Sequence, residues 1–298
     1  MARSHSVQGK TVLITGAARG IGAETARRLA ARGARLSLVG LEPDMLERVA
    51  AECGEAIWCE ADVTDRDALA AAVDSTVDRF GGIDVVMANA GIGAGGTVRT
   101  MDPDGWERVI EVNLLGVYRT IGACLPHVIE RRGYVLPVSS MASSVHSPGM
   151  SAYAAAKSAV EALGNSLRME VRHLGVDVGV AYYSWIDTEM VRGADARAGL
   201  GEWRKRLRGP AGKTFTVEEA GEATAAGIEA RARRIVVPKS FNAVLFGRML
   251  VQRLGELQMK REAPRLLEEM EATAREDPTA SQPVGAGGAA DSRTRSSA

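Results

Sequence analysis

The chain has 298 residues, 37 Lys+Arg against 37 Asp+Glu, 46% hydrophobic residues and only 4% aromatics. That length carries a large core without disulfide or metal staples, and the zero net charge excludes the basic excess of a dedicated nucleic-acid binder. Cys53, Cys59, Cys124 and four scattered histidines form neither a disulfide framework nor a metal-ligand cluster, which predicts a reducing cytoplasm and no protein-bound metal.

Short apolar runs alternate with helix-length segments. Strands are predicted at 10–15, 34–39, 56–59, 83–88, 134–139, 176–182 and 234–237. Near-continuous apolar strands separated by helices predict a parallel sheet covered on both faces, and right-handed crossovers make it doubly wound. The expectation is one α/β domain, residues 1–240, around a seven-stranded sheet. Pro137 conflicts with a central fifth strand, because proline cannot donate to the ladder. After Pro238, the residues Phe241, Val244, Leu245, Met249, Leu250 and Leu254 recur at helical spacing. They predict a helical extension, 241–275, whose stripe packs on the cleft, a sister subunit or a membrane surface. Residues 276–298 are rich in Gly, Ala, Ser, Thr and Pro and predict a disordered tail. No signal peptide and no membrane span of ~20 apolar residues is expected.

The first strand runs into Thr15-Gly16-Ala17-Ala18-Arg19-Gly20-Ile21-Gly22, which opens a helix. Glycines let the backbone turn tightly and approach a pyrophosphate, and the helix N-terminus supplies free N–H groups. The order strand, glycine loop, helix is the context that gives such a cluster meaning. The spacing Thr-Gly-x-x-x-Gly-Ile-Gly resembles that of the short-chain dehydrogenase/reductase family. Further segments follow in that family's order: Asp62-Val63, Asn89-Ala90-Gly91, Asn113, Ser139-Ser140, and Tyr153-Ala154-Ala155-Ala156-Lys157, with Tyr153 thirteen residues beyond Ser140.

The resemblance spans residues 9–238. It implies a Rossmann-type fold, a nicotinamide dinucleotide, and a homodimer or homotetramer. The catalytic residues it implies are Tyr153, Lys157, Ser140 and Asn113. The cofactor-binding residues are Gly16, Arg19, Gly20, Ile21, Gly22, Gly40, Leu41, Asp62, Val63, Asn89, Ala90, Gly91, Ile186 and Thr188, joined by Tyr153 and Lys157.

Tyr153 and Lys157 lie four apart, on one helical face. A neighbouring ammonium favours the phenolate and fits tyrosine for acid/base work on a carbinol oxygen. Ser140 would hold the same oxygen. Ser139 competes for that role, and the spacing favours Ser140. By resemblance, Asn113 orients a water that links Lys157 to solvent.

An NAD-preferring family member places Asp at position 40. Here Gly40 leaves no carboxylate to repel a 2′-phosphate, and Arg19 offers to pair with one. Leu41, however, stands where NADP users place a second Arg, and Glu42 reaches toward the ribose. The balance favours NADP(H), with NAD(H) the alternative.

Tyr183-Ser184 replaces the family's Pro-Gly pair, and Trp185 follows. Residues 189–216 correspond to a variable substrate lid. There Arg192, Arg197, Arg204, Lys205, Arg206, Arg208 and Lys213 outnumber the acids, and Gly199 is among several hinge glycines. A basic lid attracts an anionic substrate; a solvated amphipathic helix is the plainer reading. The function expected is interconversion of a secondary alcohol and a ketone. The alternatives are a 3-oxoacyl-carrier reductase and a non-catalytic dinucleotide-binding sensor.

Overall fold

The apolar runs become parallel strands in a computed structural model that describes residues 5–196, 200–207, 209–277 and 282–297. Strands β1 (Thr11–Thr15), β2 (Arg35–Gly40), β3 (Ala56–Glu60), β4 (Val85–Ala88), β5 (Tyr134–Pro137) and β6 (Asp177–Val178) form one sheet. Its order is β3-β2-β1-β4-β5-β6. A separate parallel ladder joins β7 (Val180–Tyr183) to β8 (Arg234–Val237).

The expected seven-stranded sheet is therefore corrected to six strands plus two, and the break has a cause. The predicted sixth strand, 176–182, is cut at Gly179 into β6 and β7. The Val135↔Val178 register and the Val138↔Ala181 bridge put the absent N–H of Pro137 opposite the Gly179 carbonyl. One ladder bond cannot form there. Gly179 itself admits no side chain, since a Cβ would lie 2.0 Å from Tyr134 Oη.

Period-two alternation sends neighbouring side chains to opposite faces. Val12, Ile14, Leu36 and Leu38 pack under α1 (Gly20–Ala30), α2 (Pro43–Glu52) and, through Ile228, a later helix at Val217–Glu229. Leu13, Val86 and Val135 meet α3 (Arg66–Phe80) through Val73 on the opposite face. That face is completed by α4 (Pro103–Ile110), a π-helical turn (Glu111–Gly116), α5 (Val117–Glu130) and α6 (Ser151–Val171). Among the described residues, the stretch Pro103–Glu130 has the length and composition of a membrane span, but Val117, Ile121 and Val128 on it are buried in this core.

The rest of the chain forms α7 (Glu189–Asp195), α8 (Leu200–Arg206), α9 (Val217–Glu229), α10 (Asn242–Phe246), α11 (Arg248–Glu276) and α12 (Gly285–Ser297). Phe241, Val244 and Leu245 pack against Tyr182 and Val236, whereas Met249 and Leu250 stay exposed. The expected disordered tail is corrected as well. Within 276–298, α12 packs on α7, Val284 N donates to Gly93 O at 2.7 Å, and Ala290 and Asp291 are buried. Its small residues give no hydrophobic periodicity, yet they permit close backbone contact: a Cβ on Gly288 would lie 2.7 Å from the Pro283 carbonyl carbon. Residues 278–281 and 298 of that tail, and Arg197, Gly199 and Arg208 of the lid, lie outside the described residues.

The loop between β1 and α1 is packed backbone on backbone. A Cβ on Gly22 would lie 2.3 Å from Gly16 O and 2.8 Å from Asn89 Nδ2. Gly22→Ala is expected to destabilise the protein by about 1–3 kcal/mol through overpacking. Gly255→Ala, in α11 with nothing within 4 Å, should be neutral or stabilising by up to ~1 kcal/mol. Paired thermal melts check the difference; equal melting temperatures would refute this packing.

Candidate active site

The sheet order reverses between β1 and β4. Connections leave these two strands toward opposite edges, which opens a crevice at their carboxyl ends. Asn89 stitches the crevice floor. Its Nδ2 donates to Thr15 O at 3.0 Å and Gly16 O at 3.1 Å. Thr15 Oγ1 in turn accepts from Asn89 N at 3.1 Å and Ala90 N at 3.2 Å. Gly16 (φ +65°) runs so close that a Cβ would lie 2.8 Å from Ala90 Cα. Arg19, the N-cap of α1, makes no side-chain cap, so the first-turn amides face the crevice.

The resulting cleft has a volume of about 390 Å³. Of the catalytic and cofactor-binding residues expected from the sequence, all but Gly22 and Asn113 line it. A glycine cradle that Cβ atoms would fill, open helix amides and apolar walls at Val63 and Ile92 fit a dinucleotide's pyrophosphate and rings.

At the Gly40–Leu41 end the charges differ from expectation. Arg19 does not stand free for a phosphate. Its Nε donates to Glu42 Oε2 at 2.8 Å, a second nitrogen meets Glu42 Oε1, and the third reaches Glu189 Oε2 at 2.5 Å. Asp62 accepts from Arg108 at 2.9 Å and from Thr64 N at 2.8 Å. Burial pushes the Asp62 carboxyl up, but the Thr64 amide and hydroxyl and the Arg108 guanidinium outweigh it and hold it low. Arg108 also binds Asp291 of α12, with Nε at 3.0 Å from Oδ1. Sequence reasoning missed Arg108, Asp291 and Glu189.

The catalytic candidates converge at the other end. Ser139 lines the cleft, but its hydroxyl is taken: Oγ donates to Lys157 O at 2.7 Å. Ser140 faces the cleft beside Tyr153, accepts from Ala142 N at 3.1 Å and donates to Tyr183 O at 3.2 Å. Burial pushes the Tyr153 phenol up, and the Ser140 contact offsets part of that rise.

Lys157 is 3% exposed, its Nζ donates to Val138 O at 2.9 Å, and it lies 5.7 Å from the centre of the Tyr153 ring. Burial pulls its ammonium down to about 8. Asn113, wholly buried in the π-helical turn, is already engaged. Its Oδ1 accepts from Ile92 N at 2.7 Å and its Nδ2 donates to Ile92 O at 2.8 Å. The Asn113 side chain is thus a clamp on the loop after β4. A Cβ on Gly91 would lie 3.0 Å from Asn113 Oδ1 and 3.6 Å from Lys157 Nζ, so that clamp sets the wall beside the lysine.

The departures from the family pattern resolve locally. The Tyr183 phenol turns into the core against Thr224 at 2.6 Å, leaving its carbonyl to Ser140. Trp185 Nε1 donates to Ala211 O at 3.0 Å. Two lid cations are paired: Arg192 with Asp187 at 2.7 Å, and Arg204 with Asp195.

The family model for short chain dehydrogenase matches residues 10–198. An uncharacterized oxidoreductase of Listeria innocua is 36% identical over 193 residues, 62% of this chain and 78% of that protein. The cis-4-hydroxycyclohexanecarboxylate dehydrogenase of Sinomonas cyclohexanicum is 36% identical over 227 residues, 72% of this chain and 88% of that protein. A short chain dehydrogenase/reductase from Burkholderia phymatum, solved in complex with NAD, superposes with a TM-score of 0.71 at 24% identity, over 85% of this chain and 96% of that one. A short-chain type dehydrogenase/reductase from Mycobacterium marinum superposes with a TM-score of 0.70 at 27% identity, over 78% of this chain and 94% of that one. The chain belongs to the short-chain dehydrogenase/reductase family of oxidoreductases.

Proposed function

We propose that the protein interconverts a secondary alcohol and a ketone, with Tyr153 as the acid/base. One observation carries this reading. Ser140 and Tyr153, backed by buried Lys157, line both the dinucleotide cleft and a second, apolar cavity, where the two spaces meet. A bound nicotinamide dinucleotide supplies the hydride acceptor or donor.

The chain's own residues handle the oxygen and its proton. Ser140 and Tyr153 hold the substrate oxygen between two hydroxyls. Tyr153 gives it a proton during reduction and takes one during oxidation. Lys157, fixed by the Val138 carbonyl, lowers the cost of the phenolate. Asn113 is a positioning residue acting through Ile92 and Gly91. The relatives named for 4-hydroxycyclohexanecarboxylate carry a secondary ring alcohol in that name, which supports the reaction class.

For the cofactor we infer NAD(H), a revision of the sequence balance. Arg19 is matched by two carboxylates, Glu42 and Glu189, so the pocket beside Leu41 has an excess of negative charge. A 2′-phosphate, itself about −2 in charge, meets repulsion there. Exposed Tyr118 and Met169, on α5 and α6, support the homodimer or homotetramer. Three free cysteines support a cytoplasmic setting.

Tyr153→Phe should keep dinucleotide affinity within about twofold while losing about 10²–10⁴-fold in kcat. Isothermal titration alongside steady-state rates checks this; wild-type turnover would remove the proposed acid/base.

Oxidation needs the phenolate and reduction the phenol, so oxidation should rise and reduction fall as pH increases. Lys157→Met should move the rising limb of oxidation alkaline by about one unit or more. The same lysine links pH to stability. Its pKa falls from 10.5 to about 8 on folding, so the unfolded chain binds more protons between these values. The cost is full below the folded pKa and is relieved as pH rises through the window. Wild type should therefore gain melting temperature relative to Lys157→Met between pH 8 and 10. A pH-independent difference contradicts the buried cation.

Glu42→Gln removes one of the two acids on Arg19. The NADP(H)/NAD(H) ratio of kcat/KM should rise by about tenfold or more; an unchanged ratio overturns the assignment.

A further inference from the structure

A second cavity, of about 790 Å³, opens beside the Ser140–Tyr153 pair. Ser140, Tyr153 and Ser184 belong to the walls of both spaces, so the two meet at the reacting hydroxyls. The far walls come from parts of the chain outside the glycine loop: the turn around Met150, the segment carrying Trp185 and Leu207, and α11 with Val251 and Met259.

Its charge is as telling as its shape. Among the described residues, no Lys or Arg lines it, and the one carboxylate is Glu256, which is exposed. Gln252 turns its carbonyl oxygen to His146 N at 3.0 Å. The nearby cations are matched elsewhere. Arg204 pairs with Asp195 and stacks 5.1 Å from the Trp185 ring centre, and Arg248 meets Glu161 at 3.1 Å.

An anionic group entering this space would lose water and find no lysine or arginine, His146 being the one basic side chain in its walls. An apolar skeleton loses only water that it gains by leaving. A cavity of this size holds a drug-sized molecule.

Building on the acid/base reading above, we propose that the cavity takes a bulky, uncharged, apolar secondary alcohol or ketone, of fused-ring or long-chain type, and that α11 sets this preference. The basic lid does not recruit an anion, because no Lys or Arg lines this cavity and the nearby Lys157 is buried on the cleft side, bound to Val138 O. This sets the protein apart from its relatives named for a cyclohexanecarboxylate, and from reductases of carrier-bound substrates.

The test is kcat/KM across a matched panel: cyclohexanol, a fused-ring secondary alcohol, a long-chain 2-alkanol, and the same skeletons bearing a carboxylate. The uncharged bulky members should exceed cyclohexanol by about tenfold or more, and their carboxylates by about 100-fold. Val251→Phe, which fills space, should cut the bulky substrates by about tenfold or more and spare cyclohexanol. Val251→Arg should cut them too and raise the carboxylates. Dinucleotide affinity and melting temperature confirm that each variant is folded, and Val251→Phe alone suffices if Val251→Arg does not fold. Equal or better turnover of small or carboxylated skeletons overturns this inference and leaves the acid/base reading intact. Selectivity unmoved in both variants overturns it as well. No turnover of any alcohol or ketone, with dinucleotide still bound, overturns the acid/base reading instead.

Discussion

The close approach of two chain reversals, at the ends of β1 and β4, governs everything built above them. Four hydrogen bonds join Thr15 and Gly16 to Asn89 and Ala90 across that junction. Gly16 and Gly22 are required there because the space a Cβ would need is already filled by backbone and by Asn89. The helix amides of α1 are consequently aimed outward and uncapped. Asn113 repeats the device one layer up. It spends its amide on both polar groups of Ile92 and so fixes the loop that walls in Lys157. A π-helical turn, which re-aims side chains relative to a regular helix, often accompanies such positions.

Charge is distributed over the site by burial rather than by ion pairing at the reacting end. Lys157 meets a carbonyl, a glycine and an aromatic ring, with no carboxylate among the causes of its lowered pKa. A cation held this way can stabilise a transient phenolate without being neutralised by a permanent anion. At the far end the opposite holds. Arg19 and Arg108 are each shared by two acids, and their electrostatics are spent on holding loops together. Cationic side chains thus stand clear of carboxylates at one end of the cleft and hold loops together at the other.

Much of this was legible from local sequence. The strands, the glycine loop and the i,i+4 Tyr153–Lys157 pair are short-range patterns, and the thirteen-residue spacing separated Ser140 from Ser139 before any geometry was known. What escaped depended on distant partners. Arg19 could be read as a phosphate ligand only while Glu189, 170 residues away, was out of view. Asp291 meets Arg108 across 183 residues, from a segment whose Gly, Ala and Ser content matches that of a flexible tail. Pro137 did signal trouble in the fifth strand. Its effect fell on the neighbouring strand, at Gly179, which only the register reveals.

The family match stops at residue 198, and that boundary separates two kinds of wall. Inside it lie the glycine loop, the Ser140–Tyr153–Lys157 group and the clamp on Ile92. Beyond it lie α11, which contributes to the apolar cavity, and α12, whose Gly288 and Asp291, with Val284 just before it, line the dinucleotide cleft. Residues that perform a proton transfer must keep their relative geometry for any substrate, so they sit on the central sheet and its helices, where packing is tight. Residues that choose a substrate need only supply volume and polarity, and helices appended to the sheet can do so without disturbing it. On the proposed reading, the long C-terminal region joins residues such as Met150 and Trp185 in shaping the space a substrate would fill.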